Sequence, residues 1–299
     1  MRTANRILVS VIITLLTLSF FTGNSLLSYS HSSTLPIESQ GTIRYPDHRT
    51  TGVWGINAWT EAQVDPQEVV DRLRLNIDGY GIGQYTWGGG WLGNLDYLLA
   101  AGVKHIVPTT IHTNWMSHED GLKALRDSIT PSLDHPEICG VFLDEYPAGR
   151  NEAQIREVMD AIRTINPNLQ VWIPWNSWFA ADPSIDIYLS WLDGYFHIVC
   201  LNFHVLDDEG ITPSQLEPWI NRTRETFPGK PVWVTIYSKA GSGQQGGRDL
   251  TEQEFKAQLE ILRNAYDTGR IEGVALYIGE YLHWTDALQY VDWFAEGFV

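Results

Sequence analysis

Hydrophobic and polar positions alternate on two scales after residue 50. Short apolar runs of strand length are each followed by a stretch whose apolar residues recur every three or four positions, and this pairing repeats about eight times. The runs predict strands at Thr51 to Trp59, Gly79 to Trp87, Val103 to Ile111, Ile138 to Leu143, Gln170 to Trp175, Gly194 to Phe203, Pro231 to Tyr237 and Ile271 to Ile278. The run Ile138 to Leu143, six apolar or small residues in succession, reads as a strand buried on both faces, as in a parallel sheet covered by helices. The intervening stretches carry helix signals. Asp65-Pro66-Gln67-Glu68 supplies a cap, a proline at the first helical position and a following acid, and a helix to about Leu75 is expected. Helices are also predicted from Trp91 to Ala101, from a Ser117 cap to Ser128, and from Asn151 to Ile165, where Ile155, Val158, Met159, Ile162 and Ile165 form one apolar stripe. A short helix around Ser184 to Trp191, one from Pro213 to Phe227, one opened by the capping box Thr251-Glu252-Gln253-Glu254, and one from Asp286 to Phe294 complete the series.

Eight strand–helix alternations without a break in composition predict a single α/β domain over residues 51–299, a (β/α)8 TIM barrel. The alternative is an open doubly wound sheet. Such a sheet normally carries a glycine-rich phosphate turn after its first strand, and Gly52-Val53-Trp54-Gly55-Ile56-Asn57 does not match one. No cofactor is therefore expected.

The first 50 residues follow another pattern. Arg2 and Arg6 precede an apolar run from Ile7 to Phe21, then small residues around Ser28-Tyr29-Ser30, which predicts a signal peptide over 1–30 and a secreted, extracellular protein. At about 15 residues the run is short for a membrane span of about 20, so no stable membrane association is expected after cleavage; an uncleaved anchor is the alternative. Residues 31–50 read as a polar linker.

Charge narrows the partner. With 36 acidic and 20 basic residues the formal charge is −16, and no basic face offsets it, so nucleic acid is not expected to bind. The two cysteines, Cys139 and Cys200, lie in apolar runs without metal-ligand spacing.

The fourth strand ends in chemistry: Ile138-Cys139-Gly140-Val141-Phe142-Leu143 runs into Asp144-Glu145-Tyr146-Pro147. In a parallel barrel the residues at the strands' C-terminal ends share one mouth. Those ends supply Trp54 and Asn57, Tyr85 and Trp87, His112 and Trp115, Asp144 and Glu145, Trp175 and Asn176, Asn202 and His204, Tyr237, Tyr277 and Glu280. Eight of the thirteen tryptophans fall in these ends or the loops continuing them. Aromatic rings interleaved with amides and carboxylates suit a neutral carbohydrate, whose C–H faces stack while its hydroxyls hydrogen-bond. At least two of Trp54, Trp87, Trp115 and Trp175 are expected to be stacking platforms. Lys239 is the one cation among the strand ends, which disfavours phosphate and sulfate esters.

The segment Gly140 to Pro147, followed by a helix ending Ile165-Asn166-Pro167-Asn168 and the strand Val171-Trp172-Ile173, resembles the fourth unit of the clan-A-like glycoside hydrolase barrels. That resemblance implies a glycosidase in which Glu145 is the general acid, with Asp144 standing where the clan has asparagine. It departs on the seventh strand, where the clan carries its nucleophile and this chain reads Val232-Trp233-Val234-Thr235-Ile236-Tyr237 with no acid. Glycoside cleavage needs two carboxyls. Glu280 is the expected partner of Glu145, Asp144 the second choice and the Asp207-Asp208-Glu209 triplet the third. Two other readings stand beside this one. A glycan-binding barrel without catalysis would account for the acid-free seventh strand; a metal-dependent hydrolase would use His112, His204, Asp144 and Glu145, although their spacing matches no zinc motif.

Overall fold

In a computed structural model the chain forms a closed barrel of eight parallel strands in sequence order. The structure describes residues 49–54, 66–84, 91–111, 117–144, 151–176, 194–206, 210–240, 248–277 and 284–299. The expected signal peptide and polar linker lie outside these apart from Arg49 and Thr50. The strands are β1 (Thr51–Trp54), β2 (Tyr80–Gln84), β3 (His105–Ile111), β4 (Gly140–Asp144), β5 (Gln170–Asn176), β6 (Ile198–Phe203), β7 (Val232–Tyr237) and β8 (Gly273–Tyr277). Each pairs with its sequence neighbours, and β8 closes on β1 through Thr51↔Val274 to Trp54↔Tyr277.

Seven helices are described: α1 (Pro66–Arg72), α2 (Trp91–Ala100), α3 (His118–Ile129), α4 (Glu152–Ile165), α5 (Leu216–Thr226), α6 (Glu252–Asp267) and α7 (Trp284–Gly297). The caps at Ser117 and Thr251 form as the sequence predicts, and Asn151 makes a further one. Ser117 Oγ accepts from Asp120 N–H at 3.0 Å. Asn151 and Gln154 exchange side-chain-to-backbone bonds of 3.0 and 3.2 Å, and Thr251 and Glu254 do so at 3.3 and 2.9 Å. Each such cap satisfies N–H groups that the helix cannot satisfy internally. The helix expected near 184–191 lies outside the described residues. The sixth strand begins at Ile198 rather than Gly194, because Gly194 takes a left-handed turn at φ 84° before the chain enters the sheet. The helix expected from Pro213 opens as a 3-10 turn over Pro213–Gln215 before α5.

Two apolar zones follow from strand alternation. Outward residues such as Val141, Leu143, Val171, Ile173, Val199, Leu201, Val234 and Ile236 pack with the helices into the larger zone. Inward residues fill the lumen. The pairing registers stack the inward side chains in layers drawn from odd and even strands by turns. Low in the barrel Trp172 and Trp233 meet with ring centroids 5.0 Å apart, and Tyr80 packs on both. Such rings fit only because glycines face them: a Cβ on Gly273 would lie 2.6 Å from Trp233. Above sit Ile82, Phe142, Cys200 and Ala275, then Trp54, Thr109, Pro174 and Thr235. The next layer, at the C-terminal mouth, contains Asp144, Asn202 and Tyr277.

Candidate active site

Asp144 is the last residue of β4 and is half-buried. Phe142 points into the lumen and Leu143 into the helix layer, so alternation turns Asp144 inward, over the barrel interior. Its charge reaches Tyr237 and Cys200, raising the pKa of both. The same alternation brings Asn202 inward after Ile198 and Cys200, Tyr237 after Trp233 and Thr235, and Tyr277 after Ala275.

A run of rings lines the side of the mouth formed by β6, β7, β8 and β1. His204 stacks on Tyr237 at 3.8 Å and 26°. Tyr237 leans on Tyr277 at 4.7 Å, and Tyr277 meets the Trp54 ring edge-on at 5.1 Å. Trp54 in turn packs on Phe142 at 4.7 Å. Asp144 comes from the opposite side, since β4 and β8 face each other across an eight-stranded barrel. The mouth therefore has an aromatic wall and a carboxylate facing it.

Burial pushes the Tyr237 phenol well above its ordinary range, and Tyr277, Asp144 and Cys200 add to the effect. Burial likewise pushes the Cys200 thiol up to about 12, against a lowering contribution from its 3.0 Å contact with Thr235 Oγ1. Both groups keep their protons near neutral pH. Tyr237 can thus donate a hydrogen bond, while neither group supplies an anionic nucleophile. Lys239, beyond β7, pairs with Asp249 at 3.5 Å.

Of the residues singled out from sequence, the structure brings Asp144, Asn202, His204, Tyr237, Tyr277 and Trp54 to one end of the barrel. It does not bring Trp175 there. Trp172 occupies the lumen, so Trp175 three positions on faces outward, where it is 4% exposed and meets Phe227 edge-on at 5.1 Å beneath α5. Trp54 faces the lumen but is 2% exposed, as part of the floor. Asn176 ends β5. Glu145, Glu280, Asn57, Tyr85, Trp87, His112 and Trp115 lie outside the described residues, as does the triplet 207–209. Among the described residues no group of three or more His, Cys, Asp or Glu is placed to hold a metal ion; of the four conceivable ligands, His112 and Glu145 are not among those residues. Listing strand ends overlooked Thr109, Cys200 and Thr235, inward polar groups just below the mouth. Counting alternate positions back from Asp144, Asn202 and Tyr237 finds them.

No family model matches the sequence, and no curated protein matches it. The fold does have solved counterparts. An FMN-binding beta-glucuronidase from Faecalibacterium prausnitzii superposes with a TM-score of 0.53 at 11% identity, over 78% of this chain and 37% of that one. A GH2 beta-galacturonidase from Eisenbergiella tayi gives 0.53 at 15% identity, over 82% and 51%. A xylanase from Paenibacillus barcinonensis gives 0.51 at 12% identity, over 83% and 88%. The chain thus spans well under half of the glucuronidase and about half of the galacturonidase, but most of the xylanase. At these identities the likeness is one of architecture: the chain has the (β/α)8 barrel fold that these glycoside hydrolases share.

Proposed function

We propose that this protein hydrolyses a glycosidic bond in a neutral oligo- or polysaccharide. The observation that carries the reading is the placement of Asp144, a half-buried carboxylate turned inward at the C-terminal mouth of a closed parallel barrel, opposite a wall of rings. Catalytic groups of such barrels collect at this face. The rings and the Asn202 amide suit a hydroxylated, uncharged ligand, and the glycoside hydrolase neighbours of the fold are consistent with it. Export through the N-terminal apolar run belongs to the same proposal, since an extracellular enzyme would meet polymeric substrate.

Hydrolysis requires one carboxyl to protonate the departing oxygen and another, ionised, to attack the anomeric carbon or to take a proton from the attacking water. Glu145 is assigned the acid role and Glu280 the opposing one, with Asp144 as the second candidate for the latter. With no acid on β7 and with Tyr237 held protonated, the ionised group has to come from another strand. The wider carboxyl separation expected across a barrel, about 6.5–9.5 Å, would leave room for water and give inversion.

The test is turnover on 4-nitrophenyl glycosides and on soluble xylan and glucans, with product anomers followed by NMR. Glu145→Gln and Glu280→Gln should each cost about a hundredfold or more in kcat while leaving thermal unfolding unchanged. Full activity in Glu280→Gln with loss in Asp144→Asn would transfer the second role to Asp144. Binding of glycans without turnover would instead support the non-catalytic barrel.

A further inference from the structure

Tyr237 ends β7, the strand that brings no acid to the mouth, and alternation after Trp233 and Thr235 turns it inward there. Two rings pack on it. His204, which follows β6, stacks on it with centroids 3.8 Å apart and planes 26° apart, and Tyr277 of the neighbouring β8 leans on it at 4.7 Å and 41°. The residue is 8% exposed, so little of the phenol's face is left for a sugar to stack on. Its hydroxyl is placed differently. That oxygen has no hydrogen-bond partner among the described residues, and it is not sealed from solvent as the Trp172 and Trp233 N–H groups lower in the barrel are. With the ring wedged between its neighbours, the O–H keeps one freedom, rotation about the C–O bond, and aiming it at a ligand costs little entropy.

The surroundings decide what the hydroxyl offers. Burial of the ring and the nearby charge of Asp144 keep its proton in place near neutral pH, so it is a donor. Asp144 acts on it through charge rather than through a hydrogen bond, and an ionised carboxylate only accepts. A sugar hydroxyl serves both groups, since it can donate to Asp144 while accepting from Tyr237. A carboxylate, sulfate or phosphate on the ligand would accept from Tyr237 but be repelled by Asp144.

We infer that Tyr237 is the seventh-strand residue that meets the substrate, donating its phenolic hydrogen bond to a hydroxyl of a neutral sugar ring, and that His204 is the positioning residue that holds its ring. This rests on the glycosidase reading and adds to it how the acid-free strand takes part: it supplies a neutral donor through the edge of a ring rather than a stacking face.

The experiment compares wild type with Tyr237→Phe, which keeps the ring and removes the hydroxyl, with His204→Ala and His204→Phe, and with the double variant His204→Ala/Tyr237→Phe. Three properties are read: affinity for D-glucose, D-xylose and D-galactose by calorimetry, kcat and KM on the matching 4-nitrophenyl glycosides, and Tm. Tyr237→Phe is expected to bind the preferred sugar about tenfold more weakly and to lose at least as much in kcat/KM, with Tm unchanged. His204→Ala should lose part of the same affinity, and His204→Phe, which can still stack, should restore most of it. In the Tyr237→Phe background His204→Ala should cost no further affinity, because His204 acts through the hydroxyl; equal losses in both backgrounds would make His204 a residue of the fold and overturn its positioning role. If Tyr237→Phe does not fold, the comparison of His204→Ala with His204→Phe decides. Unchanged affinity and kcat/KM in Tyr237→Phe would overturn the inference, and would leave the glycosidase reading standing where Glu145→Gln still abolishes turnover. Weakened sugar binding in Tyr237→Phe, with no hydrolysis by wild type, would uphold the donor and sink the glycosidase reading. A wild type that neither binds nor cleaves any member of the panel would overturn both.

Discussion

Acid should weaken this barrel through one imidazole. His197 precedes β6 and is 5% exposed, and its Nδ1 accepts a 2.9 Å hydrogen bond from the Val171 N–H. Only a ring unprotonated at Nδ1 can accept that bond. Burial first, then the charges of Arg163 and Lys230, push its pKa down to about 4. An unfolded chain takes up the proton near pH 6.5, whereas the native chain resists it until about pH 4. Stability contributed by the neutral ring is therefore complete above about pH 6.5 and drains away as the pH falls toward 4. At about 1.36 kcal/mol per pH unit the window is worth at most about 3 kcal/mol, and partial solvent screening of the two cations reduces it to about 2 kcal/mol. His197→Gln keeps a side-chain acceptor but does not titrate. Urea unfolding of both proteins at pH 7.5 and 4.5 isolates the effect, since carboxylate protonation is common to the two. Wild type should lose about 2 kcal/mol more than the variant between these pH values. Parallel losses would refute the argument, and would mean that the native ring protonates as readily as the unfolded one.

Gly273→Ala should destabilise the barrel by about 1–3 kcal/mol in chemical denaturation, because the new methyl group meets the Trp233 ring at 2.6 Å with no space to yield. Trp175→Ala should cost about 3–5 kcal/mol of stability, and Trp175→Phe, which keeps the packing against Phe227, should leave sugar affinity unchanged; a selective loss of sugar binding would place Trp175 at the mouth after all. Thr251→Ala removes the cap of α6 and should lower stability by about 1 kcal/mol, read as a fall in Tm.

Periodicity along the chain was enough to specify the barrel. Strand runs such as Val199-Cys200-Leu201 are apolar on both faces, which only a covered parallel sheet accommodates, and the Thr251 capping box marks a helix start through bonds made within four residues. These signals are local, so they survive in the linear order of residues. The site was legible in part: an acid ending the fourth strand marks the mouth from sequence alone, and so do the rings at the ends of β7 and β8. Which side of the wall each residue faces was not legible. Trp54 and Trp175 look alike as strand-end tryptophans, yet one forms the lumen floor and the other packs beneath α5. That difference is set by the register, since shifting a strand by one residue exchanges its two faces. Register in turn is settled by contacts between distant segments, such as the Trp233 ring filling the space opposite Gly52 and Gly273. The gathering of Asp144, Asn202 and Tyr277 in one layer at the mouth has the same origin: three strands spread over about 130 residues of chain converge there only once the barrel has closed.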